Sequence, residues 1–110
     1  MNFNELNLPE YVLRALEKNG YTTPTEIQQK AISPVMKGLD LVGKSQTGSG
    51  KTFAYGIPAV CVSDSLTRQT EVLVLCPTRE LAMQITAELR KLNEFKEGVK
   101  VVPIYGGASI

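Results

Sequence analysis

Apolar positions recur along this chain at two spacings, a helical one and an extended one, in a definite order. Residues 7–19 place Val12, Leu13 and Leu16 on one helical face, with Pro9 in the first turn and Gly20 as the stop. A second helix is predicted to begin at Thr23. Thr23 and Glu26 have capping-box spacing, Pro24 takes the first helical position, and Ile27, Ala31 and Val35 share a face. Pro34 should break or kink that helix, because it lacks an N–H and crowds the preceding turn. A turn at residues 38–40 then leads into a short apolar strand, 41–43, a glycine-rich turn, 45–50, and a third helix from about Lys51. Residues 63–70 are polar and read as a loop. The continuous apolar run 72–76, bounded by Pro77, suits a strand buried on both faces. Thr78 caps a fourth helix with Leu81, Ile85, Leu89 and Leu92 at helical spacing, and Gly98 ends it. A third strand, 99–105, stops at Gly106-Gly107.

Two helices followed by strand–helix–strand–helix–strand imply right-handed crossovers. The expected fold class is therefore α/β, a parallel sheet with flanking helices. A chain of 110 residues is one small domain or part of a larger one.

Composition narrows the function classes without choosing among them. Twelve Lys and Arg stand against eleven Asp and Glu, a net charge of +1, so no global basic field points to nucleic acid and any such site must be local. Cys61 and Cys76 sit in apolar runs and read as buried, reduced thiols; with no histidine, a structural zinc site is excluded. No apolar stretch approaches the ~20 residues that span a bilayer. The first five residues lack a secretory pattern, which points to the cytosol.

The sharpest chemistry lies in Ser45-Gln46-Thr47-Gly48-Ser49-Gly50-Lys51-Thr52, between a predicted strand and a predicted helix. Successive backbone N–H groups in such a turn make an anion cradle, to which a helix N-terminus adds unpaired donors and the positive end of its dipole. Gly48 and Gly50 let the backbone curl close to phosphate. Lys51 supplies a mobile charge for the β- and γ-phosphates, and the Thr52 hydroxyl is placed to ligate Mg²⁺. Ser45 stands where the general pattern opens with Gly, a variant similar to the helicase form of this loop.

Upstream, Gly20-Tyr21-Thr22-Thr23-Pro24-Thr25-Glu26-Ile27-Gln28 is at minimum a capped helix start. The Gln28 amide, with one acceptor and two donors, can also read the N6 amine and N7 of adenine together. Tyr21 offers a ring for stacking. Here the chain strongly resembles the Q motif of DEAD-box RNA helicases, and Phe3 matches the isolated upstream aromatic of that family. The resemblance implies that Gln28 reads adenine, that Tyr21 packs on the base, that Phe3 belongs to the same nucleotide-binding set and that Thr25 supports the loop, with ATP and Mg²⁺ as the cofactors.

Pro77-Thr78-Arg79-Glu80-Leu81-Ala82 follows a predicted strand at the sheet edge where ligands of α/β folds bind. A helix N-terminus with a free hydroxyl and an Arg suits phosphate, although a capped helix start alone explains the same residues. The segment resembles motif Ia of the family, and Gly106-Gly107 resembles its GG element, which together imply that Pro77, Thr78, Arg79, Gly106 and Gly107 meet the RNA backbone. The likeness runs from Phe3 to Gly107 and implies a Q-motif region at 1–29 and part of a RecA-like ATP-binding domain at 30–110. The 110 residues contain no Asp-Glu-Ala-Asp and no Ser-Ala-Thr. The expected parent is thus an ATP-dependent RNA helicase that unwinds short duplexes, whose partners are ATP, RNA and the remainder of its core. Alternatives are a non-catalytic nucleotide-binding or interaction module and a DNA-acting relative.

Overall fold

The computed structural model describes residues 2–44, 50–63 and 69–106. A 3₁₀ turn, Phe3–Leu6, opens the fold and was not expected from the apolar spacing. The Asn2 side chain caps it by accepting from the Asn4 N–H at 2.9 Å, and Asn7 closes it in the left-handed region at φ 56°, which asparagine tolerates. Four α-helices follow among the described residues: α1 (Glu10–Lys18), α2 (Glu26–Met36), α3 (Lys51–Val62) and α4 (Arg79–Leu92).

The helix ends obey local chemistry, with shifts from the expected boundaries. Pro9 is the N-cap of α1 rather than a residue of its first turn, and its carbonyl accepts from the N–H groups of Val12 and Leu13. Both α1 and α2 end in the same way. Gly20 and Gly38 take φ 80° and 83°, and the next residue reaches back across the turn: Tyr21 N–H to Leu16 O at 2.9 Å, Leu39 N–H to Pro34 O at 3.1 Å. This is the Schellman closure, which uses glycine because a Cβ is disfavoured at positive φ.

The start of α2 lies two residues beyond the expected one. Thr25, not Thr23, is the N-cap, and the box closes with Gln28: the Thr25 N–H donates to Gln28 Oε1 at 2.9 Å, and the Gln28 N–H donates to Thr25 Oγ1 at 3.4 Å. Two overlapping boxes exist in the sequence, and the one used also lets the Gln28 side chain bond outside its own helix. The buried face accordingly runs through Gln28, Ala31 and Ile32, with Ile27 and Val35 half-buried at its margins. Pro34 does not end the helix, which continues to Met36. It sits in the last turn, where only one ladder bond is lost.

Helices α2 and α3 pack together, α4 lies against α3, and α1 touches α4. Phe3, Val12, Leu16, Ile32, Phe53, Ile57, Val60, Leu89 and Leu92 meet in one core. Gly56 sets the α3–α4 crossing: a Cβ there would stand 2.7 Å from Leu89 Cδ2. Because α3 crosses α4 at Leu89 and Leu92, the first turn of α4 is uncovered and Leu81 is exposed, contrary to its expected place on the buried face. Helix α4 ends at Leu92, six residues before Gly98; Asn93 is its C-cap, and Gly98 at φ 80° serves the turn into 99–105.

The three expected strands, 41–43, 72–76 and 99–105, are not joined by a ladder among the described residues. Residues 70–76 and 98–105 border an open cleft of about 840 Å³ instead. Both segments still alternate with a period of two, as extended backbone must. Val74 and Cys76 are half-buried while Leu73 and Leu75 are 76% and 84% exposed; Val99, Val101, Pro103 and Tyr105 are half-buried while Lys100, Val102 and Ile104 are exposed. Val74 and Val101 pack on the helical core. Burial of 72–76 on both faces is therefore corrected to burial on one, because α3 and α4 cover one side and no described element covers the other. Side chains of α4 and the turn after it pin the second segment: Arg90 donates from Nε and Nη2 to the Val101 carbonyl at 3.1 and 2.8 Å, and Asn93 Nδ2 to the Val99 carbonyl at 2.9 Å.

Candidate nucleotide and nucleic-acid sites

The head of α3 is the first candidate site. Its N-cap is Gly50 at φ 89°, a residue with no side chain to satisfy the N–H groups of the first turn. Those donors, with the dipole behind them, suit an anion. Lys51 is exposed and Thr52 half-buried in that turn. Ser45, Gln46, Thr47, Gly48 and Ser49 lie outside the described residues.

Gln28 joins this turn to the capped helix. It is 4% exposed, its Oε1 accepts from the Thr25 N–H, and its Nε2 donates to the Gly50 carbonyl at 3.1 Å. One amide thus holds the start of α2 against the start of α3 and keeps one N–H and one lone pair for a further partner. The approach is so close that a Cβ on Gly50 would stand 2.5 Å from Gln28 Nε2 and 2.9 Å from Thr25 Oγ1. Glycine is required there twice over, by its φ and by its neighbours.

The Schellman turn after α1 delivers Tyr21 to the same end of α3. Its ring meets Phe53 edge-to-face at 4.8 Å and 80°, one residue beyond Thr52, and it is 40% exposed. Phe3 is placed differently. It is buried in the core, and its N–H donates to the Thr22 carbonyl at 3.4 Å. A ring so enclosed has no face for a base; it fixes the segment that carries Tyr21. Tyr55, one turn beyond Thr52 in α3, was not among the expected site residues. Burial raises its hydroxyl above the usual phenol range, and a side-chain hydrogen bond with Thr52 opposes that shift. Its spacing of one turn from Thr52 is the signal that could have found it.

The second candidate site is the head of α4. Thr78 is the N-cap and accepts from the Leu81 N–H at 3.1 Å. Arg79, exposed, donates from Nη2 to the Gly106 carbonyl at 2.8 Å and lies 4.8 Å over the Tyr105 ring. Motif residues 27 positions apart are thereby brought side by side. Pro77 is exposed beside them, and Gly107 lies outside the described residues.

Among the described residues no group of His, Cys, Asp and Glu could hold a metal ion, and no helix is long and apolar enough to cross a membrane. Both cysteines are free thiols, half-buried rather than fully buried. Burial raises the Cys61 thiol, partly opposed by the Lys96 charge and a hydrogen bond with Tyr11.

Comparison with known proteins identifies the family. The family model described as DEAD/DEAH box helicase matches residues 25–110. The ATP-dependent RNA helicase DeaD of Haemophilus influenzae is 39% identical over 107 residues, 97% of this chain and 18% of that protein. The DEAD-box ATP-dependent RNA helicase CshA of Geobacillus kaustophilus is 44% identical over 108 residues, 98% of this chain and 23% of that protein. The chain thus spans about a fifth of the length of such relatives. In three dimensions it resembles a DEAD box protein from Methanococcus jannaschii, with a TM-score of 0.85 at 38% identity over 99% of this chain and 30% of that one. It equally resembles the RNA helicase Prp28 from Chaetomium thermophilum bound to ADP, with a TM-score of 0.87 at 39% identity over 98% of this chain and 27% of that one. These likenesses bear out the α/β RecA-like class, of which the described helices and extended segments are a part. Its match over residues 25–110 and its likeness to these helicases along nearly its whole length show that the chain belongs to the DEAD/DEAH box helicase family.

Proposed function

We propose that residues 1–110 are the nucleotide-binding part of an ATP-dependent RNA helicase, with the Q-motif region at 1–29 and part of the RecA-like domain at 30–110 working as one unit. The observation that carries this reading is the Gln28 bridge from the capping box of α2 to Gly50 at the head of α3. A base-reading amide and a phosphate-binding turn are mechanically one object. That is what a site for a purine nucleotide needs, because base and phosphates must be held at a set separation.

Gln28 reads adenine with its remaining N–H and lone pair, Tyr21 packs on the base, and Thr25 holds the glutamine. Residues 45–50 and the first-turn N–H groups of α3 hold the phosphates, with Lys51 placed over the charge that develops on the γ-phosphoryl group. Thr52, kept in place by Tyr55, is the residue to ligate Mg²⁺, which when bound neutralises charge between the β- and γ-phosphates. Pro77, Thr78, Arg79, Gly106 and Gly107 meet the RNA backbone. The rest of the helicase core completes the site, and closure on ATP and RNA bends and separates a short duplex. The reading places the protein in the cytoplasm. It is supported by relatives named as ATP-dependent RNA helicases and by the likeness to Prp28 bound to ADP.

The test is Lys51→Ala in a full-length helicase carrying this segment. RNA-stimulated phosphate release should fall by about 10²-fold or more, as for loss of a group aimed at transition-state charge. Near-normal turnover would refute the phosphate-loop reading.

A further inference from the structure

We propose that Tyr105 is a positioning residue for RNA binding: its ring is a platform that holds the Arg79 guanidinium in the plane from which it meets an RNA phosphate. The inference rests on the reading of the α4 head as a backbone-contact site and extends it to a residue that neither motif includes. Three observations carry it. The Arg79 guanidinium carbon lies 4.8 Å over the Tyr105 ring centroid. The same guanidinium donates from Nη2 to the Gly106 carbonyl at 2.8 Å, so the peptide that follows the ring holds one corner of the fork. Arg79 is nevertheless exposed, while Tyr105 is half-buried at the covered face of 99–105.

A guanidinium has five N–H donors in a rigid plane and binds phosphate best through two of them at once. One donor on Gly106 leaves four. A ring beside the guanidinium carbon narrows the positions it can take without consuming any of them. The long side chain of Arg79 would otherwise sample many rotamers and lose that freedom on binding. Tyr105 and Gly106 remove most of it beforehand, and the cation–π contact keeps the charge desolvated on one face only. The alternation of 99–105 makes the arrangement possible: Val99, Val101 and Pro103 lie toward the helices, and Tyr105 is the next residue in that row, where the covered face reaches the head of α4.

The experiment is a double-mutant cycle in a full-length helicase carrying this segment. Affinity for a fluorescein-labelled oligouridine decamer is measured by anisotropy with a non-hydrolysable ATP analogue, over a range of salt. Tyr105→Leu keeps apolar volume and removes the ring; Tyr105→Phe keeps the ring. Tyr105→Leu should weaken binding about two- to five-fold, the range of an exposed cation–π contact. It should change affinity less than 1.5-fold when Arg79 is already Ala, in line with a ring that acts only through the guanidinium. Tyr105→Phe should bind within twofold of wild type, and thermal unfolding of all variants should match. Loss of the same factor in both Arg79 backgrounds, or equal loss in the Phe and Leu variants, would overturn the proposal while leaving Arg79 as an RNA contact. Unchanged binding by Arg79→Ala would overturn the backbone-contact reading itself, and with it the platform.

Discussion

Gly50 concentrates the residue-scale physics of the nucleotide site. Its φ of 89° is disfavoured for any L side chain, and an added methyl would press on Gln28 Nε2 and Thr25 Oγ1. Gly50→Ala should therefore loosen the bridge between α2 and α3 without touching Lys51. The expected result is a loss of about 2–3 kcal/mol of stability from φ strain and overpacking together. A second consequence, on the proposed reading of Gln28, is a reduced preference for ATP over GTP, because the amide proposed to read adenine is displaced. Competition binding of the two nucleotides to the wild-type and Gly50→Ala helicase checks this. Full discrimination in the variant would detach Gln28 from base choice. The residues involved were legible in the sequence as types, since Gln28, Thr25 and Gly50 were each singled out there. Their mutual contact was not, because 22 residues separate Gln28 from Gly50 and no local rule brings them together.

Elements are held by contacts at their ends as much as by their faces. Helix α3 carries the proposed phosphate-binding turn at its head, and Lys96, from the turn after α4, clasps its tail. Lys96 Nζ donates to the Val60 carbonyl at 2.6 Å and to the Cys61 and Ser63 carbonyls, and it lies 5.0 Å over the Tyr11 ring. A cation at a helix C-terminus satisfies carbonyls that have no partner in the helix and complements its dipole. Lys96→Met keeps the stem and removes the charge. It should cost about 1–2 kcal/mol, the range for a partly buried cation at this position, or roughly 4–15 °C in melting temperature for a domain of this size. An unchanged melting temperature in thermal unfolding would contradict the clasp. Pattern alone located the starts of α3 and α4 correctly, since Gly50-Lys51 and Thr78 mark them by local chemistry, but it carried α4 six residues too far, to Gly98. It misplaced the start of α2 by two residues because Thr23 and Thr25 offer equivalent caps, and only the reach of Gln28 to the next element decides between them.

Among the described residues, the extended segments 72–76 and 99–105 are covered on one side only. Val42, Leu73, Leu75, Val102 and Ile104 are all exposed large apolar residues, with Val42 at 88% and Ile104 at 67%. Such a surface, with backbone groups not joined in a ladder beside it, favours association. The 110-residue chain by itself should self-associate as concentration rises in sedimentation. Leu73→Lys with Ile104→Lys should restore a monomer without lowering the melting temperature, since neither side chain is in the core. A wild-type chain that stays monomeric at high micromolar concentration would count against an exposed apolar face. The same chain should release no phosphate from ATP, with or without RNA, because the sequence lacks the Asp-Glu-Ala-Asp carboxylates that this family is named for. RNA-stimulated turnover abolished by Lys51→Ala would overturn that expectation.

What the sequence determined by itself is local: which segments are helical or extended, that Gly20 closes α1, and which residue types could hold phosphate, adenine or an RNA backbone. These follow from steric limits on φ, from caps and from side-chain period, all of which act within a few residues. The tertiary structure decided the rest. It chose Thr25 over Thr23, buried Phe3, set Gln28 on Gly50, laid Arg79 on Tyr105 and left one side of 72–76 open. Each of these outcomes depends on surfaces far apart in the chain competing for the same space and the same hydrogen-bonding groups, and that competition is settled only when the helices pack.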